Sequence, residues 1–373
     1  MSKMNLAALC LLLLITFNFV SGQERPHDAY LDEENGYFIN VKPASNGYVF
    51  TDNYCNTLYY LENGNLQTLV SSPGCGRYYN VSADGKFIAY KHISNEGQTP
   101  AVINLENGKI EFLNSTVGLC GQPVFTANGI AFTINDRLII LANGVRDEYP
   151  LGYYSNYIAI SSDGNKVVYS DNDRLMLLDI LTGKSKAISE ENKLSSYPQF
   201  SPDGKKILFQ SENMYVLDLM TDKVYDLGYG LYPKWLHDSE TVVFYNTEIQ
   251  DNTVVNSDIY KCNYLNPVHI NLTNTEDRCE MQAFAISQNE IVFHTYSDRE
   301  IFRLDISNDY MAEPQMIYKH QGELEISYNN IKSQKAEVYI PGDVPYTHQV
   351  YDTPDEHYGY GSCAPTCAIM AIS

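Results

Sequence analysis

Basic residues are scarce in this chain: 25 Lys and Arg stand against 46 Asp and Glu in 373 residues, a formal net charge of −21. A protein that grips nucleic acid needs a basic face to neutralise phosphates, so that class is excluded, as is adhesion to an anionic membrane surface. Long apolar runs are also scarce. After the first 22 residues no run reaches the 18 residues at which a spanning helix becomes a candidate. Helical periodicity is missing too: between residues 36 and 320 no amphipathic helical stretch of 12 or more residues occurs. Tryptophan is nearly absent, with one residue against 31 tyrosines. What remains, 44% hydrophobic and 19% charged residues, is a globular composition that excludes wholesale disorder. The length suffices for about two domains.

The first 22 residues form a unit of their own. Lys3 is the only charge before Glu24, and Leu6 to Val20 is an apolar run too short for a comfortable span. Val20 and Gly22 stand at positions −3 and −1 of a cut before Gln23. Residues 1–22 are therefore expected to be a signal peptide and 23–35 a linker. The protein is expected to be secreted or otherwise extracytoplasmic, with no membrane attachment after cleavage. Export permits disulfides. Seven cysteines follow the cut (Cys55, Cys75, Cys120, Cys262, Cys279, Cys363 and Cys367), an odd number that leaves at least one thiol unpaired. Proximity in sequence suggests Cys55 with Cys75 and Cys262 with Cys279. Asn80, Asn114 and Asn271 open Asn-x-Ser/Thr triplets that accept glycans where a host supplies the machinery.

A repeat of about 40 residues fills residues 36–320. Short β-branched and aromatic runs recur, ending at Phe50, Tyr90, Phe132, Tyr169, Phe209, Phe244 and Phe293. A polar turn precedes several of them: SADGK at Ser82, SSDGNK at Ser161, SPDGKK at Ser201. Asp-Gly and Asn-Gly supply the positive φ angles that tight strand connections need. A second strand follows each run, as LYYL at Leu58 or MYVLDL at Met214, then a further turn and a more polar strand such as KVYDL at Lys223. One such meander cannot bury both faces alone; packing units face to face around an axis does, and a closed ring protects their edges. The expected class is all-β: a seven-bladed propeller, or a six-bladed one if a terminal unit is an appended sheet.

The Ser-Pro-Asp-Gly turn, the apolar run after it and the YVLDL strand resemble the TolB-like propeller repeat. That resemblance implies an extracytoplasmic interaction platform, with a protein partner on the propeller face. Within the propeller the residues read as structure. Asp163 and Asp203 fit turns better than metal sites. His92, His237, His269, His294 and His320 show no metal-ligating spacing, no Gly-x-Ser-x-Gly elbow is present, and no cofactor is expected. The channel mouth is the default binding site, and the repeat names none of its residues.

From about residue 336 the character changes. A strand (AEVYI) leads into a Pro/Gly/Asp-rich loop containing Gln349, and Cys363 stands just before Pro365 and an apolar, helix-forming stretch. A cysteine at a helix start has its thiolate favoured by the helix dipole. An upstream Gln can donate its amide to an oxyanion together with the backbone N–H of the nucleophile. The stretch VPYTHQV…GYGSCAPTCAIMAI resembles the stand-alone, extracytoplasmic cysteine peptidases of the bacteriocin-processing type, which have a papain-like α+β fold. The resemblance implies Cys363 as nucleophile attacking a peptide carbonyl, Gln349 as oxyanion donor, and a peptide or protein substrate. Ala364 stands where the family has Gly. The family's base is a His downstream of the nucleophile; His348 and His357 precede it. Residues 336–373 are thus expected to be the opening part of such a domain, reached through a linker at 321–335, and catalytically incomplete as given. The competing reading makes the protein a secreted, non-catalytic binding propeller, with Cys363 and Cys367 as structural residues of one helix face.

Overall fold

The structure is a computed structural model, described here for residues 37–321, apart from a few loop positions, and for the segments 338–340 and 344–346. Seven four-stranded antiparallel sheets follow one another along the chain. They span Phe38–Ser71, Asn80–Phe112, Val124–Pro150, Ile158–Ala187, Ser196–Asp226, Leu231–Asn271 and Glu280–Lys319, and are called blades 1 to 7. Each is a meander in which the four strands pair in sequence order. The first strands of successive blades lie against one another around the ring, those of blades 5 and 6 through the Gln199 amide on the Pro233 carbonyl oxygen, and so do those of blades 7 and 1. First strands are therefore innermost and line the axis. The count is seven, not six. Among the described residues no helix is long and apolar enough to cross a membrane.

The recurring apolar runs are the second strands. Their lack of polar alternation has a direct cause. In Thr241–Gln250 of blade 6, Val242 and Phe244 pack, with Trp235 of the same blade, against Leu208 and Val216 of blade 5, while Val243 and Tyr245 pack toward blade 7 with Ile291 and Phe293. Both faces of the strand are covered, so both must be apolar. Each such fully buried side chain contributes about 1.5–3 kcal/mol. The fourth strands sit at the rim, and Lys184–Ala187 is exposed at all four positions.

The ring closes by packing. Phe38, Val41 and Phe50 of blade 1 meet Val292 and Ile301 of blade 7 in one buried cluster. Phe38 also stacks edge-on against Tyr59 at 5.7 Å and approaches Tyr318 of blade 7 at 6.2 Å. Every described strand of blade 1 belongs to one continuous stretch of chain, as does every strand of blade 7.

The Ser-x-Asp-Gly turns connect first to second strands. In blades 2, 4 and 5, Asp84, Asp163 and Asp203 accept hydrogen bonds from the Ser hydroxyl two residues back at 2.6, 2.5 and 2.5 Å, and from the backbone N–H two residues ahead. These bonds hold the carboxylates of Asp84 and Asp163 below the usual range. The aspartates are turn residues.

Sequence reasoning did not recover the innermost strands. Some are short, down to Asn80–Val81 in blade 2, and others are interrupted by a bulge, so they carry little periodicity. Of the peptidase-like segment, Val338–Ile340 and Val344–Tyr346 pair as a short antiparallel hairpin. The rest of it, Gln349 and Cys363 included, lies outside the described residues.

Candidate functional site in the axial channel

The innermost strands of blades 1, 5, 6 and 7 share one local device. Pairing with the second strand skips two residues: Asn40 and Val41, Tyr197 and Pro198, Tyr232 and Pro233, Gln282 and Ala283. The first residue of each pair has positive φ: 56°, 53°, 50° and 51°. Tyr78, two residues before the first strand of blade 2, has φ 58°. Non-glycine residues adopt this conformation at a cost of order 1 kcal/mol, and it persists only where the surroundings impose it. A bulge of this kind re-aims a side chain.

The re-aimed tyrosines meet. Tyr78 of blade 2 lies 5.9 Å from Tyr197 of blade 5, ring centre to ring centre, and its hydroxyl donates to that of Tyr197 at 3.4 Å. Blades 2 and 5 are not neighbours in the ring, so this contact spans the axis. Tyr157, just ahead of blade 4, approaches Tyr78 at 5.5 Å, and Tyr232 of blade 6 approaches Tyr197 at 5.4 Å. Tyr245 continues the stack from Tyr232 at 6.0 Å. All of them except the buried Tyr245 are partly exposed. Burial pushes the phenols of Tyr78, Tyr157 and Tyr232 up, that of Tyr157 to about 12, and the proximity of Tyr197 adds to it. The result is a tyrosine layer across one level of the channel, with apolar faces and neutral hydroxyls.

Beside it a polar network fixes the neighbouring connections. Gln282 Oε1 accepts from the Asn40 backbone N–H at 2.9 Å, tying blade 7 to blade 1. Lys91, fully buried, donates to Asn156 Oδ1 at 2.9 Å, and Tyr154 donates to the Cys120 carbonyl oxygen at 2.9 Å.

Two residues after the first member of each pair, about 7 Å further along the strand, stand Lys42, Gln199, Lys234 and Phe284. Lys42 and Lys234 come from blades 1 and 6 and converge on blade 7 between them: their Nζ atoms lie 5.3 and 5.2 Å from the centre of the Phe284 ring. Lys42 also donates to the Tyr79 carbonyl oxygen and lies 4.3 Å from that ring. Neither lysine has an ion-pair partner among the described carboxylates, in contrast to the rim, where Lys86–Glu106 and Lys319–Glu300 pair at 2.6 Å. Enclosure by protein, and for Lys42 the second ammonium, depresses the pair, Lys42 to about 7 and Lys234 to about 8.

A second concavity, a cleft of about 400 Å³, opens between the rims of blades 4 and 5 over Phe209, Tyr215 and Leu217. The exposed Lys186–Asp222 pair spans it at 2.9 Å. Its lining mixes these apolar side chains with Ser189, Glu190, Ser195 and Ser211. Among the described residues no group of three or more His, Cys, Asp or Glu is placed to hold a metal ion.

Other sequence expectations resolve as follows. Cys55, Cys75, Cys120 and Cys262 are buried free thiols, so neither expected disulfide forms. For Cys262 the reason is distance. Cys279 bridges Ser257, five residues up the strand from Cys262 and about 16 Å away at the strand rise, whereas a disulfide needs Cα atoms within about 7 Å. Asn80 lies on an innermost strand, and its Oδ1 accepts from the Phe125 N–H at 3.1 Å. The sequence did carry a signal for the channel that the repeat analysis missed: Tyr78, Tyr157, Tyr197 and Tyr232 each stand twelve residues before the aromatic that ends a second-strand run.

No family model matches the chain, and no curated protein matches it in sequence. Solved structures do. A puromycin-hydrolysing peptidase of Mycobacterium tuberculosis matches at TM-score 0.56 and 12% identity, over 80% of this chain and 54% of that one. A prolyl endopeptidase matches at TM-score 0.54 and 10% identity, over 77% and 50%. An oligogalacturonate lyase of Vibrio parahaemolyticus matches at TM-score 0.53 and 12% identity, over 83% and 93%. The chain spans about half the length of the two peptidases it matches. At these identities the likeness is one of fold: the chain is a seven-bladed β-propeller, the fold that the TolB-like repeat implies.

Proposed function

We propose that this chain is an exported binding propeller that takes a segment of a peptide or protein at its axial channel. The observation that carries this reading is the meeting of Tyr78 and Tyr197 across the axis, with Tyr157 and Tyr232 beside them. Tyrosine offers a rigid apolar face and a hydroxyl at low conformational cost, which suits recognition of polypeptide. Positive φ at the bulged positions maintains that layer at an energetic cost, which supports a role beyond packing. The test is to replace Tyr197 with a photo-crosslinking phenylalanine in the full chain, expressed in its host. Cross-linking to polypeptide at position 197, with none from a control position on the outer strand of blade 4, supports the reading. Cross-linking from the outer strand alone overturns it.

The peptidase-like segment favours a second, compatible reading in which the propeller delivers substrate to a thiol peptidase. Its support is the Gln349–Cys363–Pro365 pattern. The Cys363 thiolate would attack the peptide carbonyl while Gln349 and the Cys363 N–H hold the oxyanion. A thiol-directed peptidase probe should label the full chain at Cys363 and lose that label in Cys363→Ala. A Cys363–Cys367 disulfide found by mass spectrometry would end this reading.

A further inference from the structure

The channel lysines are out of keeping with the rest of the molecule. In a chain of net charge −21, two ammonium groups from non-adjacent blades are brought to one aromatic ring with no described carboxylate beside them. An arrangement serving stability alone would pair them or replace them with apolar side chains, because an uncompensated enclosed charge costs free energy. Nothing in the fold requires charge there: the equivalent positions in blades 5 and 7 are Gln199 and Phe284. The two Nζ atoms, each about 5 Å from the Phe284 centre, lie within about 10 Å of one another. Two ammonium groups that share one carboxylate, each at about 2.8 Å from an oxygen, fall inside that limit. Lys42 is held in place by the Tyr79 carbonyl oxygen and ring, and the Phe284 ring lies close to both ammonium groups.

We propose that Lys42 and Lys234 form an anion subsite in the axial channel that takes a carboxylate of the bound polypeptide. The inference rests on the reading of the channel as a polypeptide site, and it names the chemistry that the ligand must carry. The carboxylate is the commonest anionic group of a polypeptide and can come from an Asp or Glu side chain or from a chain terminus. Two charge-assisted hydrogen bonds over a ring, in a site walled by protein, are strong relative to the same contacts at the surface. The depressed basicity of both lysines is the cost of leaving them bare, and an anion relieves it.

The experiment measures binding of fluorescent hexapeptides to the full chain by anisotropy at neutral pH. The peptides are N-capped hexaglutamate and hexaglutamine, each with a free and an amidated C-terminus. The protein's negative surface repels hexaglutamate, so any retained binding reports a specific site. The expected result is that amidated hexaglutamate binds at least tenfold more tightly than amidated hexaglutamine. That advantage falls at least tenfold in Lys42→Met and in Lys234→Met and survives in Lys234→Arg. Tight binding of hexaglutamine with a free terminus, lost on amidation, assigns the site to a terminal carboxylate. The methionine variants remove an enclosed charge and should melt at or above the parent, which separates a lost site from a lost fold.

Equal binding of acidic and neutral peptides, acidic binding that ignores both methionine substitutions, or no binding of any acidic peptide would overturn the subsite. Equal binding that still depends on the channel tyrosines would leave the broader reading standing. Lysine-dependent binding of hexaglutamate, with cross-linking confined to the outer rim, would do the reverse.

Discussion

The hydroxyls of Tyr78 and Tyr197 meet at 3.4 Å across the axis of the ring, from blades separated by two others. Each stands in a left-handed backbone conformation, φ 58° and 53°. Adjacent first strands alone would leave an open channel; these two residues, with Tyr157 and Tyr232, close one level of it.

That closure is measurable by alkaline titration. Burial raises the phenols of Tyr78, Tyr79 and Tyr232 well above their ordinary value, and no opposing charge outweighs it. A raised phenol in the folded state contributes stability below pH 10 that is lost as pH rises beyond it. Phenolate absorbance should therefore rise in two stages, surface tyrosines first and Tyr78, Tyr79, Tyr157 and Tyr232 only as the chain unfolds. A single transition covering all 31 tyrosines while the fold persists would contradict the layer.

Three glycines of the same turn motif should respond differently to alanine. Gly85, Gly164 and Gly204 have nearly the same φ, 72°, 73° and 70°. A Cβ at Gly164 meets nothing, at Gly204 it comes 3.0 Å from the Ser162 Oγ, and at Gly85 it lands 2.2 Å from the Ser45 backbone nitrogen. Gly164→Ala should cost about 1 kcal/mol, the conformational penalty alone. Gly204→Ala should cost slightly more. Gly85→Ala should cost about 3 kcal/mol or more, because a blade 1 turn must move. Urea unfolding of the three variants gives the order directly.

Opposed pH effects are expected from two buried groups near the start of blade 7. His294, 1% exposed, is pushed down to about 4 by burial; Glu280, 0% exposed, is pushed up to about 7 for the same reason. The histidine's depressed value costs stability as pH falls from about 6.5 toward 4; the raised carboxyl costs stability as pH rises from about 4.5 toward 7. In the overlap the two slopes oppose each other. Glu280→Gln keeps a partner for the Thr275 hydroxyl, which Glu280 Oε1 accepts at 2.8 Å. That variant should gain on the order of 1–3 kcal/mol over the parent above pH 7 and nothing below pH 4. Denaturant melts across this range check the sign.

Thiol chemistry should divide along burial. Burial pushes Cys55, Cys120 and Cys262 up to about 12, and Cys75 rises as well. Since the thiolate is the reactive form, these four should resist alkylation at pH 8 in the folded chain and react after denaturation. Peptide mapping that finds Cys55 joined to Cys75 would contradict the free thiols.

The sequence by itself determined the repeat, the all-β class and the identity of the second and third strands. Val242–Tyr245 and its counterparts are apolar on both faces because blades cover both, and that need is written residue by residue. It also determined the Ser-x-Asp-Gly turns, whose hydrogen bonds close within five residues. Only the tertiary structure decided the rest. Whether a turn glycine has room depends on the neighbouring blade. Cys262 and Cys279 are 17 residues apart in the chain but sit at different heights of one sheet. The channel is the clearest case. Tyr78 and Tyr197, or Lys42 and Lys234, become neighbours only when the ring closes. No local pattern encodes a contact between residues whose separation is set by the curvature of seven sheets.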